Sequence, residues 1–314
     1  MKKNLFYFFF ILFFIVLSLG CIETDEKEDE EIVTDGISSS ILINGVQSRN
    51  IDLISEQRAE VGVRVKNFGD KPIENVTVKL IGYLNIENHI SNETDRIFPN
   101  TEHYFNWLIS APRMRVGERI STMAYFRICF DYDTISYSDV ITIPEAYGAP
   151  PTPYTVTESD YLDVLYNIPA TRMIEGKEDN RIVGEIIIRN IGEGDVDYPV
   201  YIDNPSRNIL RTIEVNVIGL ENATIGRFGG ERISSLEEDG GVEIINDTKL
   251  IISHTTDKAH LLRVIRGQEL RTRIEITIPD SEEYQKTTTI GGLEIDINHG
   301  YCINTPTISM NLRG

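Results

Sequence analysis

The sequence predicts an all-β protein made of two tandem antiparallel β-sandwiches. The first observation behind this fold class is internal repetition. Residues 63–69 (VRVKNFG) return as residues 186–192 (IIIRNIG), and residues 76–82 (VTVKLIG) return as residues 213–219 (IEVNVIG). The second is strand-like periodicity inside each repeat, and the third is the lack of a long stretch with a helical apolar stripe. A chain of 314 residues is long enough for two domains of ordinary size.

Alternation of apolar and polar residues marks the individual strands. It covers residues 61–66 and again residues 76–80. A period of two places every second side chain on one face of a sheet, so each run predicts a half-buried strand. Residues 67–70 (NFGD) fit a turn between them, because Asn and Gly tolerate positive φ. Residues 119–130 and 134–143 also predict strands, and short strands separated by polar turns favour a sandwich.

A proline-rich segment divides the chain. Residues 145–160 contain closely spaced prolines, which favour an extended linker. We therefore expect the first sandwich over residues 37–144 and the second over residues 161–314. The second repeat is longer than the first, and residues 195–201 and 291–300 lie in its insertions. Glycines bracket residues 291–300, which predicts an extra hairpin arm there.

The N-terminal residues 1–20 have the pattern of a signal or anchor segment. The apolar run over residues 5–19 fits a signal segment and is shorter than the ~20 residues that span a bilayer. Residues 18–21 (SLGC) are similar to a lipobox, which implies lipid attachment at Cys21. Residues 21–36 are rich in acidic residues and predict a disordered tether. The expected location is the outer face of the cytoplasmic membrane with a lipid anchor, and the alternative is a single N-terminal transmembrane helix.

The charge of the chain limits its partners. The formal net charge is −19, from 30 basic and 49 acidic residues. A strongly acidic protein is repelled by phosphate backbones, so no nucleic-acid partner is expected. The expected contacts are the membrane, through the N-terminal anchor, and an unknown protein or glycan at the cell surface.

Two cysteines occupy equivalent positions in the repeats. Cys129 precedes residues 134–136 (TIS) by the same distance that separates Cys302 from residues 307–309 (TIS). Outside the cytoplasm the two thiols are candidates for a disulfide, which would require equivalent strands of the two units to face each other. The alternative is that each cysteine fills the same core position in its own unit and stays unpaired.

Four sequons are candidate N-glycosylation sites in an extracytoplasmic chain. They lie near expected turns or strand ends, at Asn75, Asn92, Asn222 and Asn246.

A search for chemistry gives no catalytic constellation, cofactor motif or metal site. Asp131 and Asp133 would lie on one face of a strand, and calcium prefers such oxygen ligands. No loop with calcium-binding spacing surrounds them, so we predict no metal there. His254 and His260 are too far apart in sequence for a helical or strand ligand pair. We predict that the protein is not an enzyme and binds no cofactor.

The aromatic residues suggest one core residue and one contact surface. A single Trp in a sandwich usually fills the core between the sheets, so Trp107 is expected inside. A tyrosine cluster near the linker is the better candidate for exposed contact, because Tyr combines area with a polar tip. The cluster comprises Tyr132, Tyr137, Tyr147 and Tyr154.

The first unit resembles a known family of surface domains. Its alternating Val/Ile residues, Asn-x-Gly turn and second strand ending near Gly resemble immunoglobulin-like domains of the CARDB and archaeal S-layer-associated type. Residues 105–112 (FNWLISAP) are similar to the segment that such domains carry before a late strand. In the second unit the resemblance covers the first strands and the tail, and nothing there corresponds to Trp107. The resemblance implies immunoglobulin-like sandwiches and a surface role, and it supplies no catalytic residues.

The sequence as a whole therefore predicts a non-enzymatic cell-surface lipoprotein. Its expected role is scaffolding, adhesion or spacing. The alternative is a ligand-binding or accessory subunit of an extracytoplasmic transporter, pilus or S-layer assembly.

Overall fold

The computed structural model describes ten stretches of the chain. They are residues 32–34, 36–82, 85–90, 92–145, 148–177, 179–196, 208–238, 242–253, 259–280 and 282–314. Residues 32–314 belong to one compact unit. The predicted signal segment and Cys21 lie outside the described residues, as does most of the predicted tether. Within the described stretches, no helix has the length and apolarity needed to cross a bilayer.

The structure is mostly β, which confirms the predicted all-β class. Up to the predicted linker the strands are β1 Ile32–Thr34, β2 Ile37–Ile43, β3 Val46–Gln47, β4 Asn50–Ile54, β5 Arg58–Asn67, β6 Ile73–Gly82, β7 Asn85–Ile90, β8 Glu93–Ile97, β9 Glu102–Ser110 and β10 Arg119–Pro144. Strand β1 falls within the range predicted as a tether.

The remaining elements follow the end of β10. The strands are β11 Thr155–Glu158, β12 Leu162–Asn167, β13 Thr171–Met173, β14 Asp179–Asn190, β15 Asp195–Val196, β16 Thr212–Ile218, β17 Thr224–Phe228, β18 Glu231–Arg232, β19 Val242–Asn246, β20 Lys249–Ser253, β21 Glu269–Pro279, β22 Thr289–Asn304 and β23 Ile308–Arg313. The short helices are α1 Ile233–Glu238, a 3₁₀ turn Ala259–Leu262 and α2 Glu282–Lys286. Strand β11 lies inside the predicted linker and pairs with β10.

The described strands form three sheets. A six-stranded sheet has the order β1-β2-β5-β9-β7, with β3 beside β2, and a five-stranded sheet has the order β12-β14-β21-β17-β18. The largest sheet has twelve strands along the path β19-β20-β16-β22-β10-β23-β4, with further strands branching from it. It takes strands from both predicted units, so hydrogen bonding continues across the predicted boundary between them.

One long strand and the two strands that pair along it form the centre of the twelve-stranded sheet. Strand β10 has 26 residues, which at about 3.3 Å per residue extends roughly 85 Å. Its pairing with β22 covers 16 residue pairs, from Arg127 opposite Asn304 to Thr142 opposite Thr289. Strand β23 then pairs with the first residues of β10 in almost the same register. We call β10 with β22 and β23 the central ribbon.

The duplication is visible in the local geometry of two equivalent turns. Asn67 ends β5 and Asn190 ends β14. The Asn67 side-chain oxygen accepts from the amide of Gly69 at 2.9 Å, and that of Asn190 accepts from Gly192 at 3.2 Å. Each side-chain nitrogen donates to the carbonyl four residues later. The same residue type therefore closes the same turn in both halves.

The predicted hairpin arm over residues 291–300 is wrong. These residues lie inside the continuous strand β22. The glycines allow close packing: a Cβ on Gly291 would meet Leu220 at 2.4 Å, and one on Gly292 would meet the Tyr137 ring at 2.3 Å. They were interpreted as turn residues because glycine serves both purposes.

Alternate apolar side chains of the facing strands fill the core. Trp107 is 1% exposed, and its ring lies 5.0 Å from that of Phe126. The predicted core position of Trp107 is confirmed. Burial of large side chains of this kind contributes about 1.5–3 kcal/mol each.

Candidate functional site

A disulfide lies in the middle of the central ribbon. Cys129 of β10 and Cys302 of β22 are direct partners in the ladder and are joined through their sulfur atoms, with their Cα atoms 4.1 Å apart. Directly opposed residues in an antiparallel pair come this close where the ladder lacks hydrogen bonds. The link connects two points separated by 173 positions in the sequence. The sequence left open whether the two cysteines pair or stay unpaired in equivalent core positions, and in the structure they are paired.

A polar cleft of about 200 Å³ lies where strands β6 and β16 meet the ribbon. Binding pockets for drug-sized ligands usually measure about 300–1,000 Å³, so this cleft suits only a small group. Its lining mixes both charges: Lys71, Pro72, Glu74, Asn75, Asp131, Tyr132, Asp133, Arg211 and Asn298.

Asp131 is the most confined carboxylate of the cleft. The Asn75 side chain donates a hydrogen bond to it at 2.9 Å, and the Arg211 guanidinium lies 3.7 Å away. Burial nevertheless raises the pKa of Asp131, because desolvation outweighs the help from Asn75 and Arg211. The nearby carboxylates of Asp133 and Glu74 raise the pKa further.

The other charged groups of the cleft are also paired. The Asn298 amide donates to Asp133 at 2.5 Å. Glu74 forms an ion pair with Arg96, and the Lys71 ammonium lies 3.5 Å from the Glu158 carboxylate. The contacts of Asn75 and Arg211 with Asp131 tie β6 and the approach to β16 onto the ribbon. Among the described residues, no group of three or more His, Cys, Asp or Glu side chains is placed to hold a metal ion.

Four carboxylates continue from the cleft along the outer face of the ribbon. We call them the acidic stripe: Asp133, Glu214, Glu294 and Asp296. Asp296 sits opposite Ile135 on β10 and opposite Glu214 on β16. Burial is the largest cause that raises the pKa of Asp296, followed by the charges of Asp133, Glu214 and Glu294. One lysine on this face, Lys249, is paired with Glu214 at 2.5 Å.

Aromatic rings fill the inner face of the ribbon beneath the cleft. The Tyr161 ring stacks on Tyr301 at 4.2 Å and meets Tyr132 edge-on at 4.7 Å. Phe130 lies 5.5 Å from Tyr161. Such pairs contribute about 0.5–1.5 kcal/mol each beyond their buried area. Since these residues come from β10, β22 and the segment that leads into β12, the cluster joins the two halves of the chain.

His299 belongs to the same buried layer and was not singled out from the sequence. Its side chain has no solvent exposure, and its Nε2 lies 3.2 Å from the Thr134 hydroxyl. The Thr134 hydroxyl also lies 2.8 Å from the Ser159 hydroxyl, so it connects His299 to the segment that leads into β12. Burial lowers the pKa of His299 to about 4. The one sequence signal that places His299 on the inner face is the alternation of apolar and polar residues along residues 293–301.

The predicted exposed tyrosine cluster is wrong for Tyr132. That side chain is 5% exposed, and its hydroxyl donates to Asp160 at 3.0 Å. Tyr132 points inward because β10 continues without a break through the polar residues 131–133, where the sequence suggested a strand end. Tyr137 is half-buried and Tyr154 is 62% exposed. Tyr147 lies outside the described residues.

The four sequons occupy different environments. The side-chain nitrogen of Asn75 is engaged with Asp131. Asn92 is half-buried, whereas Asn222 is exposed in a turn with φ of 54°. Asn246 is exposed at the β19–β20 hairpin, where its side-chain oxygen accepts from the Thr248 hydroxyl at 2.9 Å.

Comparisons with known proteins give no family assignment. No protein-family model matches the chain, and no curated protein matches it. Among solved structures, the secreted serine protease VesC from Vibrio cholerae is similar at 9% identity and a TM-score of 0.19, over 85% of this chain and 51% of that one. The Yersinia pseudotuberculosis adhesin InvE is similar at 12% identity and a TM-score of 0.20, over 79% and 54%. A Porphyromonas gingivalis W83 protein of unknown function is similar at 10% identity and a TM-score of 0.20, over 89% and 100%.

The chain therefore spans about half the length of VesC and InvE. At TM-scores near 0.2 these likenesses carry no argument about its fold or function.

Proposed function

We propose that the protein is a non-enzymatic cell-surface lipoprotein that acts as a rigid scaffold or spacer, with adhesion as its other surface role. The single observation that carries this proposal is the central ribbon. One pair of strands runs through both halves of the folded unit and is covalently linked at Cys129 and Cys302.

A spacer must hold its ends at a constant separation. Domains joined by a flexible linker move relative to each other unless their interface is large and apolar. Here the halves share a hydrogen-bonded sheet and the aromatic cluster around Tyr161. Bending at the junction would break several ladder hydrogen bonds and separate these rings, so the two halves are expected to move as one body.

The finer fold assignment is part of the proposal. We infer two immunoglobulin-like sandwiches in tandem, of the CARDB-like surface type. The matching turns at Asn67 and Asn190 support it. So do the interior positions of β5 and β14, since each has a neighbouring strand on both sides in its sheet. The division at residues 145–160 remains a prediction, as does the length of the tether.

The location is proposed from the N-terminal residues. Lipid attachment at Cys21 would hold the protein at the outer face of the cytoplasmic membrane, and a retained transmembrane helix is the alternative. A Cys21→Ser variant distinguishes them: lipidation predicts loss of the acylated, cleaved form. The disulfide and the four sequons suit the same compartment. Intact-protein mass would report glycans at Asn75, Asn92, Asn222 and Asn246.

The partner is proposed to be a protein or glycan at the cell surface. With a net charge of −19 the chain repels nucleic acid. The acidic stripe that includes Asp296 favours a partner with basic groups on its contact face.

Distance measurement tests the spacer proposal. Val116 is fully exposed in the first half and Ile245 is 48% exposed in the second. Spin labels at Val116→Cys and Ile245→Cys should give one narrow distance distribution, unchanged by temperature below unfolding. A broad or two-peaked distribution would contradict a rigid spacer. A pair within one half, Val116→Cys with Val46→Cys, supplies the width expected of a rigid reference.

The cleft supports a second candidate function. Its lining brings Lys71 and Arg211 close to Asp131 and Asp133, a pattern suited to a small zwitterion. In that case the protein would be a ligand-binding or accessory subunit of a transporter, pilus or S-layer assembly. A thermal-shift screen with amino acids, sugars and metal ions separates the candidates, because a bound ligand raises the melting temperature. A rise of several degrees that Arg211→Gln abolishes would favour this role over spacing.

A further inference from the structure

The outer face of the five-stranded sheet is rich in arginine, and we call it the arginine face. Its side chains alternate along the strands with inward residues such as Ile186 and Ile276, which are at most 1% exposed. The arginines are Arg181, Arg189, Arg227, Arg232, Arg271 and Arg273, and the described carboxylates of the same face are Asp163, Glu185, Glu269 and Glu275. Six guanidiniums against four carboxylates leave these side chains with a charge of +2, in a chain whose net charge is −19.

Carboxylates of the arginine face lie beneath the guanidinium groups. The Glu275 side chain is 11% exposed and lies 3.1 Å from Arg181 and 3.9 Å from Arg227, whose side chains are 55% and 39% exposed. The Glu269 carboxylate lies 2.6 Å from Arg271, and this hydrogen bond is the main cause that lowers the pKa of Glu269. The solvent at these positions therefore meets mainly the positive charge of the arginines.

Two arginines beside the β17–β18 turn carry charges that the fold does not neutralise. Arg232 and Arg273 are exposed, and within the described part of the chain neither side chain has an ion-pair or hydrogen-bond partner. Arg232 is the ladder partner of Arg227, and the Arg273 carbonyl accepts from the amide of Gly229 in the turn at 2.9 Å. Gly230 adds no side chain there, and a Cβ at that position would meet nothing within 4 Å. The three arginines thus lie around an open turn that a ligand can approach.

The chemistry of the arginine face favours a hydrophilic polyanion. A guanidinium group donates two parallel N–H bonds to a carboxylate or sulfate, which a lysine cannot do, and no lysine lies on the described part of this face. The core of a protein–protein interface is apolar and aromatic. None of the large apolar side chains that are exposed in the described residues belongs to the arginine face. A protein partner would therefore find charge there without an apolar core.

The geometry points to an acidic polysaccharide as the ligand of the arginine face, with its carboxylate or sulfate groups bound by Arg232 and Arg273. Neighbouring strands lie about 4.8 Å apart, so guanidiniums recur along and across the sheet and contact successive acidic groups of one extended polymer. Contacts of one polymer with several arginines strengthen each other, because only the first must be made from free solution. The acidic surface elsewhere repels the same polymer, which confines binding to this face. This inference names the glycan class that the proposed function leaves open, and only its location at the cell surface rests on that proposal.

Binding to polymers of matched backbone tests the inference. Full-length protein is titrated by calorimetry with dextran sulfate, with uncharged dextran, and with polygalacturonate as the carboxylate form. We expect both acidic polymers to bind and uncharged dextran not to bind. The affinity should fall steeply between about 50 mM and 200 mM salt, because ion pairing releases counterions. If neither acidic polymer binds, or if uncharged dextran binds equally well, the inference is overturned.

Two double variants separate the arginine face from the overall charge. Arg232→Gln/Arg273→Gln should bind the acidic polymers about tenfold more weakly, because two exposed ion pairs are lost. Arg113→Gln/Arg119→Gln removes the same charge from exposed arginines of the first half and should leave the affinity unchanged.

Equal losses in the two variants would overturn the assignment to this face. Tighter binding of polyglutamate than of polygalacturonate, per carboxylate, would assign the face to an acidic protein and overturn the polysaccharide. These results do not depend on the distance between the two halves, so the inference can fail while the spacer proposal stands.

Discussion

The Nε2 atom of His299 lies 3.2 Å from the Thr134 hydroxyl across the two strands of the central ribbon, and the histidine side chain has no solvent exposure. The two residues come from opposite halves of the chain, and burial holds the pKa of His299 at about 4. In the unfolded chain the pKa of a histidine is about 6.5. Between about pH 4 and pH 6.5, His299 is therefore protonated in the unfolded chain and neutral in the folded protein.

The stability of the protein should fall as the pH drops from about 6.5 to about 4. The depressed pKa contributes stability that is fully present above 6.5 and is lost on acidification, by about 3 kcal/mol from His299 alone. Urea unfolding at pH 7.5, 5.5 and 4.5 measures this. His299→Gln keeps a side chain that can hydrogen-bond to Thr134 and cannot be protonated, so its loss of stability over the same pH range should be smaller. An equal loss in the variant would contradict the assignment.

Asp296→Asn should stabilise the protein at neutral pH. The raised pKa of Asp296 shows that its charged form is disfavoured by burial and by neighbouring carboxylates. Because the site is partly exposed, we expect a gain of about 0.5–1 kcal/mol at pH 7, which disappears once the carboxyl protonates. Denaturant titrations at pH 7 and pH 4 give both values. Asp163→Asn on β12 removes the same charge from another sheet, and an equal gain there would point to net charge alone.

Asn67→Ala and Asn190→Ala should each destabilise the fold. Asn67 is 1% exposed, and its side-chain nitrogen donates to the carbonyls of Lys71 and Ile97. Leaving these buried groups unpaired costs about 1–3 kcal/mol at each turn. Asn67→Asp keeps the acceptor for Gly69 but loses the donor, so it should destabilise as well. If Asn67→Asp unfolds like the unsubstituted protein, the two donated bonds contribute little.

Removal of the disulfide should weaken the fold without abolishing it. Cys129 and Cys302 are 173 positions apart in the sequence, so the disulfide between them closes a long loop. Disulfides of this kind typically stabilise the folded state by about 2–5 kcal/mol. The Cys129→Ser/Cys302→Ser variant should therefore unfold at lower denaturant concentration, with the same near-native circular dichroism before unfolding. Cys21→Ser is the control and should leave the unfolding midpoint unchanged. A disordered double variant would show that the hydrogen bonds of the ribbon are insufficient alone.

Local features of this fold could be predicted from the sequence. The alternation in β5 and β6 and the Asn67 turn depend on neighbours in the chain, and the structure has them where the pattern placed them. The inward position of Trp107 follows from the same logic. The two-residue period of apolar side chains and the residue types that favour turns are local signals, so they can be identified in a single sequence.

The long-range pairing could not be predicted. Residues 131–133 are mostly polar, which suggested a strand end, whereas β10 continues through them with Tyr132 buried against Tyr161. The sequence placed Asp131 and Asp133 on one face of a strand, and the structure agrees. Their partners Asn75, Arg211 and Asn298 come from distant elements that only the fold brings together.

The central claim is that the ribbon joins both halves into one cooperative body. Differential scanning calorimetry of the full-length protein and of the Cys129→Ser/Cys302→Ser variant tests it most directly. Each should show one transition with equal calorimetric and van't Hoff enthalpies, the variant at lower temperature. Two separable transitions in either protein would mean that the halves unfold independently, and the rigid spacer would have to be abandoned.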